Sequence, residues 1–236
     1  RPIPGGVLYG EHGARHNDYD LAKDPARRRV LFLGDSIAGR GILMDAFREV
    51  YGDEGYEWWN GGVTGYAAGQ AVGYYRDRLT TIEADEVVLC FNFTDYRMTP
   101  LVTMDADGNV RMLNARRSGT SDWLLQNSHL YRWWVGRNLE APKAVGVDPS
   151  VVERTKGELA ELQELAAARG AGLSVVVTSA MRGLAEWTPD VVTDHEGTLA
   201  ILGELGIPAL DTRAALEATE AAGDPLAEPP LDLIHP

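Results

Sequence analysis

Arg29-Val30-Leu31-Phe32-Leu33-Gly34, followed at once by Asp35-Ser36, is the stretch on which the fold turns. A short apolar run that ends on glycine and two small polar residues reads as a buried parallel strand leaving the sheet. From Ala38 to Tyr51 the spacing becomes helical, with Ile42, Leu43, Ala46, Phe47 and Val50 on one face. The same alternation then repeats. Tyr56 to Asn60 reads as a strand, Gly61-Gly62-Val63-Thr64-Gly65 as a turn, Ala67 to Leu79 as a helix and Glu86 to Phe91 as a third strand. Further on, a helix over Val151 to Arg169 stops at Gly170, and Leu173 to Thr178 makes a fourth strand. A helix over Val191 to Leu205, a short fifth strand over Pro208 to Asp211 and a helix over Thr212 to Ala222 complete the series.

Strands alternating with helices predict βαβ units and a mainly parallel sheet covered on both faces. In such sheets the ligand crevice lies beyond the carboxyl ends of the strands, so the loops there are the ones to read for chemistry. The stretch from about 97 to 150 breaks the rhythm. Leu101 to Met104 and Asn109 to Leu113 flank a Gly108 turn and read as a hairpin, and Ser121 to Asn138 reads as a helix carrying Trp123, Tyr131, Trp133 and Trp134. The expectation is a single domain over 1–236 with an inserted hairpin-plus-helix lid, or an extra packing layer, above the sheet's carboxyl edge.

Composition narrows the function classes. The 236 residues carry 22 Lys+Arg against 35 Asp+Glu, a net charge of −13, which repels phosphate backbones and anionic headgroups. The basic clusters Arg27-Arg28-Arg29 and Arg116-Arg117 are too short to reverse that, so no nucleic-acid partner is expected. No run of about 18 apolar residues occurs, so no membrane span is expected either. Arg1 to Gly6 lacks the apolar core of a signal peptide, which favours a cytoplasmic protein, or a secreted one if a leader was removed. The single cysteine, Cys90, sits in an apolar strand and reads as a small core residue, leaving no disulfide framework or cysteine metal site.

Four strand-end loops hold residues of chemical interest. Ser36 stands where the first strand gives way to a helix, a place where free N–H groups suit a developing oxyanion and where Asp and Ser also serve as ordinary caps. The glycines of Asn60 to Gly65 let backbone approach a ligand closely or simply make a tight turn. Asn92-Phe93-Thr94-Asp95 follows the third strand and offers amide and hydroxyl donors. Asp232-Leu-Ile-His235 puts a carboxylate and an imidazole three positions apart, where the acid can orient the ring. His12, His16 and His129 fall in expected surface or lid segments, and His195, within Asp194-His195-Glu196, on an expected solvated helix face. Serine, imidazole and carboxylate meeting beside backbone donors would be equipped for acyl transfer through a tetrahedral intermediate.

Together these motifs resemble the SGNH/GDSL hydrolase family: Gly34-Asp35-Ser36, Asn60-Gly61-Gly62-Val63-Thr64-Gly65, a donor loop after the third strand and Asp232-x-x-His235 occur in its order, across residues 34 to 235. The approach segment from Asn17 to Lys23 resembles one branch of the same family. The resemblance implies a flavodoxin-like three-layer α/β/α fold with sheet order 2-1-3-4-5. It also implies Ser36 as nucleophile, His235 as base, Asp232 as its partner, and the N–H groups of Ser36 and Gly65 in an oxyanion hole. The third block departs from the family's usual Gly-x-Asn-Asp: with Asp95 in register, Asn92 takes the glycine position and Thr94 the asparagine position. Either Thr94 donates its hydroxyl, or Asn92 reaches in, or the hole is one donor short.

Other chemistries fit less well. Gly34 to Arg40 mimics a phosphate loop but has Arg40 and Gly41 where Lys and Ser/Thr are required. No Gly-x-Ser-x-Gly elbow surrounds Ser36, and no His-Glu-x-x-His appears, so neither an α/β-hydrolase elbow nor metal catalysis is expected. The expected function is hydrolysis of acyl esters, of a carbohydrate or another small hydroxylated molecule, without a cofactor. O-acyl transfer to a hydroxyl acceptor and a non-catalytic binding module on the same fold are the alternatives.

Overall fold

The computed structural model describes residues 22–92, 102–104, 110–112, 128, 131, 149–178 and 184–222. In chain order the elements are β1 (Arg28–Gly34), α1 (Ser36–Gly39), α2 (Ile42–Tyr51), β2 (Tyr56–Asn60), α3 (Ala68–Arg78) and β3 (Glu86–Asn92). There follow β4 (Val102–Met104), β5 (Val110–Met112), α4 (Pro149–Ala167), β6 (Gly172–Thr178), α5 (Pro189–Leu205), β7 (Ala209–Asp211) and α6 (Arg213–Ala221). The chain forms two compact units, one over 98–148 and one from the remainder. Within the smaller unit β4 and β5 pair antiparallel, Val102 opposite Met112, as the hairpin spacing predicts. The aromatic helix expected over 121–138, with Trp123, Trp133 and Trp134, lies outside the described residues.

The larger unit is built on a five-stranded sheet in the order β2-β1-β3-β6-β7, every neighbouring pair parallel. Counting only these five strands, this is the order 2-1-3-4-5 of a flavodoxin-like three-layer α/β/α fold. Register and two-residue periodicity sort the side chains onto two faces. One face carries Val30, Phe32, Trp58, Val88 and Val176, packed against Met44, Leu43 and Phe47 of α2. The other carries Leu31, Leu33, Leu89, Phe91, Val175 and Val177, all essentially sealed from solvent. On that side α4 presents Thr155, Leu159, Leu162 and Ala166 in one stripe of helical spacing, and α3 buries Ala71, Val72 and Tyr75.

The structure corrects two expectations about α1 and α2. The helix predicted over Ala38 to Tyr51 is two helices, separated at Arg40–Gly41 with Gly41 in a left-handed conformation (φ 80°). Its inward face also differs. Leu43, Met44 and Phe47 face the sheet, whereas Ile42, Ala46 and Val50 point outward, Ile42 at 59% and Val50 at 75% exposure. Within the unbroken α2 the inward stripe is narrower than the apolar spacing suggests and is centred on Leu43, Met44 and Phe47.

Of the arginine cluster at the start of β1, Arg29 is engaged inside the fold. Arg29, fully buried, gives Nε to Glu57 Oε2 at 2.6 Å and Nη1 to the Ile82 carbonyl at 2.6 Å, with its guanidinium 4.8 Å over the Trp59 ring. Arg28 pairs with Glu86 at 3.1 Å. Cys90 is buried in β3, as its apolar setting predicts. No described helix is long and apolar enough to cross a membrane.

Candidate active site

Ser36 opens α1 immediately beyond the carboxyl end of β1 and is half-buried. The preceding residue shapes this turn. Asp35 is the N-cap of α1, its Oδ1 accepting from the Ile37 N–H at 2.8 Å and its carboxylate also from the Ala38 N–H. Burial raises the Asp35 carboxyl above its ordinary range, opposed by those backbone N–H groups and by a hydrogen bond from the Asn92 side chain. Among the described residues the Ser36 N–H has no acceptor, as a first-turn helix N–H has none within its own helix.

The glycine-rich loop after β2 packs backbone to backbone on this turn. Its Gly61 N–H donates to the Phe32 carbonyl at 2.7 Å and its Val63 N–H to the Gly34 carbonyl at 2.9 Å, which extends the parallel ladder past the end of β2. A Cβ on Gly62 would lie 2.3 Å from Gly39 N and 2.5 Å from Ala38 C, both backbone atoms that cannot turn away. Asn60, fully buried, fastens the pair: Nδ2 donates to the Ala38 carbonyl at 2.8 Å and Oδ1 accepts the Gly62 N–H at 2.9 Å. Beyond this clasp Gly65 is exposed, its N–H likewise without an acceptor among the described residues.

Sequence reading thus placed Ser36, Gly65 and Asn92 at one sheet edge; the structure joins the Ser36 turn to the glycine loop and to Asn92, which is the last residue of β3 and not part of the loop after it. Thr94, Asp232 and His235 lie outside the described residues. Two features were missed. Asn60 was read only as the start of a glycine turn, although an asparagine at a strand end is a familiar backbone-bonding residue. The Asn92–Asp35 bond is tertiary and leaves no local signal.

His195 is a correction. Expected on a solvated helix face, it is fully buried, with Nε2 2.8 Å from Asp211 Oδ1 and the Trp187 ring edge-on at 5.4 Å. The apparent polarity of Asp194-His195-Glu196 misled because α5 is covered by β7 on the side where Asp211 waits. This imidazole joins helix to sheet and has no access to a substrate.

No family model and no curated protein matches the chain in sequence. Solved structures do match in fold. An acetyl xylan esterase, AlAXEase, superposes with a TM-score of 0.50 at 14% identity, over 84% of this chain and 83% of its own. Axe2, an acetylxylan esterase from Geobacillus stearothermophilus, gives the same TM-score and identity over 84% and 83% of the two chains. The chain therefore shares the three-layer α/β/α fold of these esterases.

Proposed function

We propose that this chain is a serine esterase that cleaves acyl esters of a small hydroxylated molecule or carbohydrate through an acyl-enzyme on Ser36. In this reading His235 takes the Ser36 hydroxyl proton as Oγ attacks the acyl carbonyl carbon, and Asp232 holds the imidazole in the required tautomer. The tetrahedral oxyanion is received by the N–H groups of Ser36 and Gly65, with a third donor from Thr94 or Asn92. Collapse expels the alcohol with the proton from His235. Water, deprotonated in turn by His235, then adds to the acyl-serine and releases the acid, so the enzyme returns to its starting state.

The observation that carries the reading is the Ser36 turn itself. A half-buried hydroxyl stands at the carboxyl edge of the sheet, with two N–H groups lacking acceptors among the described residues and a neighbouring loop clasped against it by Asn60. The fold shared with acetylxylan esterases supports an ester substrate, and an acetylated sugar is the first class to try.

The test is reaction with a fluorophosphonate followed by intact-mass measurement, alongside turnover of aryl acetates. One adduct per chain, absent in Ser36→Ala, is expected. Turnover should fall about 10⁴-fold or more in Ser36→Ala and in His235→Ala with the fold retained. An unlabelled wild-type protein would identify a binding module, and ester turnover that rises with a sugar acceptor would identify acyl transfer.

A further inference from the structure

We infer that Asn92 is a positioning residue for the nucleophile, acting through the Asp35 carboxylate to which its side chain is hydrogen-bonded; the inference rests on the serine-esterase reading above. Three observations converge on it. First, β1 and β3 run side by side with Gly34 opposite Cys90, so Asn92 ends β3 two residues further along, level with the Asp35–Ser36 turn. Second, the strands touch closely there: a Cβ on Gly34, whose φ is 134°, would lie 2.5 Å from the Cys90 carbonyl oxygen. The turn is therefore pressed against β3. Third, the Asp35 side chain caps α1 through Ile37 and Ala38, so wherever the carboxylate is held, the first turn bearing Ser36 is held with it.

The residue type fits the task. The carboxylate already receives the backbone N–H groups of Asp35, Ile37 and Ala38, and burial disfavours its charge. A neutral amide donor stabilises that charge without adding a cation beside the place where the oxyanion forms. A glycine at position 92, as in the usual third block, could not supply it.

A double-mutant cycle on the full chain tests this, using aryl acetate turnover and the rate of phosphonate labelling at Ser36. Asn92→Ala is expected to lower kcat and the labelling rate by 10- to 100-fold, with KM within about twofold, the range for one hydrogen bond to a charged group. The partner variant is Asp35→Ser, which keeps an N-cap acceptor but is too short to meet Asn92; Asp35→Asn repeats the cycle should the serine variant not fold. In the Asp35→Ser background the effect of Asn92→Ala should shrink to less than about twofold. Equal losses in both backgrounds would show that Asn92 acts independently of Asp35 and overturn the inference, as would a change in KM alone. Failure of wild-type protein to label at Ser36 would overturn the esterase reading itself, an outcome distinct from additivity in a protein that does label.

Discussion

At the scale of single residues, the Ser36 turn depends on small polar contacts more than on bulk. Asn60 bonds one buried carbonyl and one buried N–H; the Ala38 carbonyl also accepts the Gly41 N–H at 2.8 Å, so Asn60→Ala orphans the Gly62 N–H alone. We expect a loss of roughly 1–3 kcal/mol in urea unfolding, the cost of one orphaned buried donor, together with slower labelling of Ser36. A variant as stable as wild type would remove Asn60 from the clasp. Asp35 yields a prediction with a sign. Its carboxyl is raised by burial, so the folded state binds protons more readily than the unfolded chain. The stability this contributes is full below the ordinary aspartate pKa and is lost as pH rises through the raised value. Asp35→Asn has no charge to bury. Its stability relative to wild type should therefore increase between pH 3.5 and pH 7, measured by denaturant titration at both ends. A relative decrease over that range would refute the assignment.

Among elements, the joint between α5 and β7 is the most exacting. Asp211 ends β7, accepts from the buried His195 ring and also accepts the Arg213 N–H at 2.8 Å at the start of α6. Asp211→Ala strands a sealed imidazole nitrogen and uncaps the helix. It should cost about 2–4 kcal/mol, from roughly 1–3 for the orphaned donor and about 1 for the cap. Asp211→Asn, which can still accept from the ring, should recover more than half of that in thermal unfolding; no recovery would mean that charge, not hydrogen bonding, joins the elements. This joint also marks where sequence reading reached its limit. β2, read from Tyr56 to Asn60, was found with those same ends, because a hydrophobic strand between glycine-rich turns is specified locally. His195 was misplaced because its partner is sixteen positions away and on another element. The inward face of α2 was only partly legible because apolar Ile42, Ala46 and Val50 share the spacing of Leu43 and Phe47 yet stay exposed.

For the whole molecule, among the described residues, the two sides of the sheet differ in how completely they are covered. The side under α3, α4 and α5 is sealed: Leu31, Leu33, Leu89 and Phe91 are all at 1% exposure or less. The side under α2 keeps a groove of about 470 Å³ walled by Phe47, Tyr51, Tyr56 and Trp58, and Leu210 beside it is 54% exposed. Equal truncations should therefore have unequal costs. Leu89→Ala removes a fully packed side chain and should cost about 3–5 kcal/mol, whereas Leu210→Ala should cost less than about 1. Similar losses in the two variants would mean that Leu210 is covered in solution.

The order of strands and helices, the parallel sheet and the sheet edge that carries Ser36, Gly65 and Asn92 follow from the chain's own pattern, since periodicity and glycine punctuation act over a few residues. Three matters were settled only by folding: that Asn60 fastens the glycine loop to α1, that Asn92 reaches Asp35, and that His195 faces Asp211 and not water. Each is a contact between groups brought together by strand pairing or helix packing. A hydrogen bond of that kind has no spacing rule by which it can be read in advance.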